Sequence, residues 1–295
     1  MNGPQPAQGG TLDVARNLGE LVARGSRSTV YAWGRGAVVK VPDHSTPDDW
    51  IQFEALYTAA VREVGAPAPR LLGIERVGGR AASVYERVHG PTMWQYLLDR
   101  PDRCAYYGRL LADLQVSLFS LVPPVSLPSQ RDRLTCKIRR AAEIVDPSLD
   151  AALGLLPEPP GSPRLCHGDL HPGNVILAPD GPVIIDWFDA CRGDAVADVA
   201  RTSLLLAPDD RGCPPHLPGA DEAMLTALAD AHLDRITSRL GVTVAQLSSW
   251  QAIEAAARLA EGVSPEPLLA RWRARSDGAL AVGPAPALAV QVAGS

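Results

Sequence analysis

The chain has 295 residues, of which 46% are hydrophobic and 21% charged, and it carries a formal net charge of -5. That is the make-up of a soluble globular protein able to bury a real core. The acidic balance argues against nucleic acid as a partner, since a phosphate-backbone binder shows a basic face. No apolar run reaches membrane-spanning length and the start MNGPQPAQGGTLDV has no leader character, so a cytoplasmic protein with no membrane partner is expected.

The first ten residues and the last twenty, SDGALAVGPAPALAVQVAGS, lack helical or strand periodicity and are expected to be loose ends, 1–10 and 276–295. From Leu18 to Val41, β-branched and aromatic residues alternate between glycine-containing turns, which predicts short antiparallel strands. The stretch TPDDWIQFEALYTAAVREVGAP reads as a helix, with Thr46 as its N-cap, Pro47 at its first position, acids in its first turn and a stop at Gly65. RLLGIERVGGRAASVYERVHG then predicts a hairpin turned at Gly78-Gly79 and a connector over 86–90. Beyond Pro91 the pattern becomes helical, as in CAYYGRLLADLQVSLFSLV, LTALADAHLDRITSRLG and LSSWQAIEAAARLAEGV. The expected organisation is a small β-rich lobe over 11–85, a hinge over 86–90 and a larger helical lobe over 91–275.

The five cysteines, Cys104, Cys136, Cys166, Cys191 and Cys213, form no C-x-x-C pair and suit reduced thiols. Cys166 is read as a buried structural thiol, since no base stands next to it in the chain.

The stretch LCHGDLHPGNVILAPDGPVIIDWFDA interrupts the helical lobe and crowds polar groups between two apolar runs. Residues 167–174 fit H-x-D-x-x-x-x-N; the runs Val175-Ile176-Leu177 and Val183-Ile184-Ile185 flank a turn and end at Asp186. A β-hairpin built from those runs brings Asn174 and Asp186 to one end. An amide oxygen and a carboxylate there are hard donors of the sort Mg²⁺ takes beside nucleotide phosphates. Asp169, earlier in the same loop, is the candidate that orients an attacking hydroxyl or accepts its proton.

These motifs resemble the aminoglycoside phosphotransferase and choline kinase-like family, small-molecule kinases with the protein-kinase fold, where H-G-D-x-H-x-x-N and I-D-[WF] serve as catalytic and metal loops. HGDLHPGNVIL, IIDWFDA and GDAVADVAR occur in the family's order, and the resemblance runs from roughly Leu18 to Arg275. It implies an α+β, two-lobed protein-kinase-like fold with a small antiparallel-sheet N-lobe and a larger, mainly helical C-lobe. It also implies Asp169 as catalytic base, Asn174 and Asp186 as ligands of Mg²⁺, and His167 as a brace of the loop. His171 is open between structural hydrogen bonding and a direct role, and Asp198 is expected to head a helix and support the catalytic loop.

The resemblance further asks for a cation that reaches the phosphates from the small lobe. Lys40 in AVVKVP is the candidate, and Glu54, three residues from both Ile51 and Tyr57 on one helical face, is its expected partner, with Glu63 as the rival. Gly25, Ser26 and Ser28 sit where the family covers the phosphates, and adenine would meet the carbonyl of Glu86 and the N-H of Val88. One departure stands out: where relatives often carry L-x-x-L-H, this chain has LADLQVSL with Gln115.

The function implied is transfer of the γ-phosphate of ATP or GTP to a hydroxyl of a small molecule, with an antibiotic as the favoured acceptor and resistance by phosphorylation as the outcome. Kinases of a primary metabolite such as choline or an amino alcohol, and a nucleotide-binding pseudokinase, are the alternatives. Asp189, Asp209, Asp210, Glu254 and Glu261 are candidates to attract an amine-bearing acceptor. Asp189 is open between substrate contact and helix capping, and several of these acids would otherwise simply solvate helix ends.

Overall fold

The structure is a computed structural model that describes residues 18–25, 27–158, 161–208, 214–262 and 268–270. The described residues divide into two compact units, one within 1–55 and 70–87 and the other within 56–69 and 88–295.

The first unit is an antiparallel sheet with strands β1 Leu18–Arg24, β2 Ser28–Trp33, β3 Ala37–Pro42, β4 Leu71–Val77 and β5 Arg80–Glu86, in the order β1-β2-β3-β5-β4. The hairpin from β4 to β5 closes through Gly78 and Gly79 at φ 57 and 82, values that two consecutive glycines adopt without steric cost. Ala37, Val39, Val77, Ala82 and Val84 form its small core. Helix α1, Asp48–Glu63, is entered differently from the expectation. Thr46 does not cap it; its hydroxyl and its N-H both turn back to Asp43 Oδ1, at 2.7 and 3.0 Å, so Asp43 organises the entry.

The second unit carries the helices α2 Met93–Asp99, α3 Cys104–Phe119, α4 Gln130–Ile144, α5 Ala195–Leu205, α6 Glu222–Leu240 and α7 Val244–Arg258. Between them lie two small sheets: β6 Arg164–Cys166 paired with β9 Cys191–Gly193, and the hairpin β7 Val175–Ala178 with β8 Gly181–Ile184. Tyr57, Val61, Ala66 and Ala68 belong to this unit's core with Met93, Trp94 and Leu165, which is why the second half of α1 goes with the helices. Helices α3 and α6 lie close together: a side chain at Gly108 would come 2.5 Å from the Leu228 carbonyl oxygen, so only glycine fits. Among the described residues, no helix is long and apolar enough to cross a membrane.

Candidate functional site

The loop of residues 167–174 leaves β6, and its geometry starts from a glycine. Gly168 has φ +76, and a Cβ there would lie 2.3 Å from the carbonyl oxygen of Asp189, so the turn needs a residue without one. Its N-H donates to Asp198 Oδ1 at 2.7 Å and its carbonyl accepts from Arg201 Nε at 3.1 Å. His167 is fully buried against Trp187, with ring centroids 4.6 Å apart. Its Nδ1 accepts from the Asp169 N-H at 3.2 Å, which leaves Nε2 to donate to the Ile185 carbonyl at 3.1 Å. His167 is therefore a brace between the loop and the end of β8.

The Asp169 carboxylate is held at both oxygens and its side chain stays 28% exposed. Arg201 Nη2 donates to Oδ1 at 3.1 Å, and Asn174 Nδ2 lies 3.4 Å from Oδ2 while donating to the Asp169 carbonyl at 2.9 Å. His171 Nδ1 accepts from the Gly173 N-H at 3.1 Å, and burial pushes its pKa down to about 3. Its Nε2 stands 3.8 Å from Asp169 Oδ2, beyond hydrogen-bond reach, so at neutral pH it is an uncharged scaffold beside the carboxylate.

Asn174 and Asp186 meet at the open end of the β7–β8 hairpin, where Val175 pairs with Ile184 and the Ile185 N-H donates to the Asn174 carbonyl at 2.9 Å. Among the described residues Asp186 alone combines a side chain with positive φ, at φ 64 and ψ 64. Aspartate tolerates that left-handed region better than most residues. Because Asn174 spends its amide N-H groups on Asp169, its Oδ1 is left as an acceptor with no donor among the described residues. One carboxylate and one amide oxygen suit a hard cation such as Mg²⁺.

The loop rests on a buried polar chain that the sequence reading did not anticipate. Asp198 Oδ2 accepts from Gln115 Nε2 at 2.9 Å, Gln115 also reaches Thr202 at 3.1 Å, and its Oε1 accepts from His232 Nε2 at 2.9 Å. Gln115 at the departing position therefore connects α3 and α6 to the helix under the loop. Asp198 lies in the first turn of α5, from where it supports the loop, while the cap at the head of that helix is Asp194, which accepts from the Val196 N-H at 2.7 Å. Placing Arg201 three residues beyond Asp198 puts both on one face of α5, a spacing visible in GDAVADVAR.

The acids expected to stand open are largely matched. Asp189 caps no helix: it accepts from Arg133 Nη2 and pairs with Lys137 Nζ at 3.0 Å. Burial alone would raise its pKa, yet Lys137 and Arg133 hold the carboxyl well below the usual range. Glu261 pairs with Lys137 at 2.9 Å and Arg201 at 3.0 Å; against the opposing effect of burial, these cations hold its pKa down to about 2. Glu254 is buried, and burial pushes it up to about 7. Asp209 and Asp210 lie outside the described residues, as does Ser26.

In the sheet unit, Lys40 on β3 donates to Glu54 Oε1 at 2.6 Å, with Glu54 buried and Glu63 exposed. The Gly25 N-H donates to the Ser28 carbonyl at 2.8 Å, making a tight turn into β2. Glu86 ends β5, where its carboxylate accepts from the Arg70 N-H at 2.8 Å, and Val88 follows two residues later.

Comparison with known proteins follows the same lines. An aminoglycoside-3'-phosphotransferase of type VIII is similar at 22% identity, over 81% of this chain and 91% of that one, with a TM-score of 0.58. A thermostable mutant of aminoglycoside phosphotransferase APH(4)-Ia, solved with ADP and hygromycin B, is 16% identical over 92% of this chain and 100% of its own, TM-score 0.62. A choline/ethanolamine kinase family protein from Mesorhizobium loti is 16% identical over 88% and 89%, TM-score 0.54. These likenesses establish the two-lobed, kinase-like α+β fold. No curated protein matches at the level of sequence. The profile of the phosphotransferase enzyme family (APH) matches residues 19–225, and the chain belongs to that family.

Proposed function

We propose that the protein moves the γ-phosphoryl group of ATP or GTP to a hydroxyl of a small natural product, with a hydroxylated antibiotic as the acceptor and resistance as the biological outcome. The observation that carries this reading is the state of Asp169: a partly open carboxylate, fixed by Arg201 and a step from Asn174, on a loop pinned through Gly168 to Asp198. A group so oriented is suited to accept the proton of an attacking hydroxyl.

Asn174 and Asp186 are assigned to Mg²⁺, which when bound supplies charge neutralisation at the phosphates. Lys40, steadied by Glu54, is assigned to the nucleotide phosphates, and Gly25, Ser26 and Ser28 to the loop that covers them. The Glu86 carbonyl and the Val88 N-H are assigned to the base, and residues 11–85, 86–90 and 91–275 to N-lobe, hinge and C-lobe. His167, His171 and Asp198 position the loop, and catalysis rests on placement and charge, the rule for phosphoryl transfer. The protein acts in the cytoplasm on this reading.

The test is to incubate the purified protein with Mg·ATP or Mg·GTP and a panel of hydroxylated antibiotics, nucleosides and amino alcohols. Phosphorylated product is followed by mass spectrometry. Transfer to an antibiotic supports the whole reading. Efficient transfer only to a primary metabolite removes the resistance role, and nucleotide binding without transfer to anything removes the enzymatic one.

A further inference from the structure

An acceptor hydroxyl that reaches Asp169 must lie against the charged side chains around it. Arg201 is the link: one guanidinium holds both Asp169 and Glu261. From Glu261 the network runs through Lys137 to Asp189 and on to Arg133, with Arg258 Nε 3.7 Å from Glu261. Four cations, Arg133, Lys137, Arg201 and Arg258, thus face three carboxylates, Asp169, Asp189 and Glu261. The carboxylates that an ammonium group would seek are already matched from inside the protein. Pulling Lys137 or Arg201 off them would strand buried charge, which costs several kcal/mol.

Glu254 differs from its neighbours. It sits on α7 with 6% exposure, and it has no hydrogen-bond or ion-pair partner among the described residues. It lies one turn before Arg258 on the same face of α7, and Arg258 Nε is 3.7 Å from Glu261, so Glu254 stands on the side of the helix that carries the network; Arg201 and Lys137 are the cations that act on it most strongly. Burial holds its pKa near 7 in spite of those cations, so at neutral pH much of it is an uncharged carboxyl. The Glu254 oxygens are not among the side-chain atoms that are both sealed and unpartnered, so the carboxyl keeps a narrow opening to solvent, and a ligand that supplies a hydrogen bond there gains from it.

Resting on the phosphotransferase reading above, we propose that Glu254 is a specificity-determining residue of the acceptor site, where it takes a hydrogen bond from a hydroxyl of an uncharged polyhydroxylated acceptor, and that polycationic aminosugars are poor substrates. An uncharged molecule leaves the Arg201–Lys137 network intact. Among the described residues, a polyamine would meet a network in which Asp169, Asp189 and Glu261 already have cation partners and cations are at least as many as those carboxylates.

The experiment uses the full-length protein with Mg·ATP and two acceptor sets: neutral nucleosides and amine-free glycosides, and aminoglycosides. With the best acceptor, Glu254→Ala is expected to raise the acceptor KM at least tenfold while leaving the nucleotide KM unchanged. Glu254→Gln, an uncharged hydrogen-bonding group of the same shape, is expected to restore it to within about threefold, and thermal melts confirm that both variants are folded. The acceptor KM of the wild type is expected to be flat in salt from low to physiological ionic strength, since no ion pair forms. The inference is overturned if aminoglycosides give the highest kcat/KM, if Glu254→Ala leaves the acceptor KM unchanged, or if Glu254→Gln is as impaired as Glu254→Ala. Those results leave the enzyme a phosphotransferase. If neither set is phosphorylated, this inference falls, and transfer to amino alcohols then decides whether the phosphotransferase reading survives.

Discussion

The sheet unit and the helical unit bury charge in different ways. In the sheet unit Lys40 and Glu54 form a buried ion pair, built from a strand and the helix that follows it. The helical unit buries a lattice in which Arg201, Lys137, Asp189 and Glu261 share partners around Asp169. In the lattice Arg201, Lys137, Asp189 and Glu261 each meet at least two partners of opposite charge. The lesson concerns placement: a carboxylate such as Asp169, tied into a lattice of shared partners, is kept in one place.

The sharpest way to separate chemistry from scaffolding in the helical unit is Asp169→Asn. Turnover is expected to fall by about 10² to 10⁴, the usual range for a positioned acid-base group, with nucleotide affinity unchanged. Single-turnover kinetics and a binding titration check this, and wild-type turnover would move the base elsewhere. Breaking the lattice comes next. Arg201→Leu leaves Glu261 and Asp169 short of a buried cation and is expected to cost about 3–5 kcal/mol by denaturant unfolding. A loss under about 1 kcal/mol would mean that Lys137 and Arg258 suffice without it.

Asp186→Ala is expected to abolish the Mg²⁺ dependence of nucleotide binding while the protein remains folded, because the hairpin end loses its carboxylate. Calorimetric titration with and without Mg²⁺ reads this out. For the sheet, Lys40→Ala, Glu54→Ala and the double variant are expected to lose similar amounts of kcat/KM, since either change already breaks the pair. Additive losses would mean that the two act separately.

The smallest effect expected is the pH dependence of stability. Burial lowers His171 and His216 to about 3 and His232 to about 4, from an ordinary 6.5. Groups shifted downward contribute stability that is present above pH 6.5 and is lost as pH falls toward those values. Glu254 runs the other way: raised from 4.5 to about 7, it favours the fold most below pH 4.5 and loses that contribution as pH rises through 7. Denaturant midpoints of wild type should therefore fall on acidification below 6.5. Glu254→Gln should remove the decline on the neutral side, and identical pH curves for the two proteins would count against a buried, unpartnered acid.

What could be read from the sequence lay close together in the chain. The motif from His167 to Asp186 spans one loop and one hairpin, so two apolar runs flanking a turn predict that Asn174 and Asp186 share an end. Glu54 declared its inward face through Ile51 and Tyr57, because helical period is a local property. The family resemblance added the roles of those residues, which spacing does not contain.

Tertiary structure decided how the remaining charges are matched. Lys137 meets Glu261 across 124 positions and His232 meets Gln115 across 117, and no periodicity reports on such distances. For that reason Asp189 and Glu261 read as open acids in the sequence and stand neutralised in the fold, and Asp194 rather than Asp198 caps α5. The sequence by itself determines which residues are chemically able to act, because side-chain type and local period are written in the chain. Which of them remain unmatched depends on where helices far apart in sequence pack, and only the folded chain sets that.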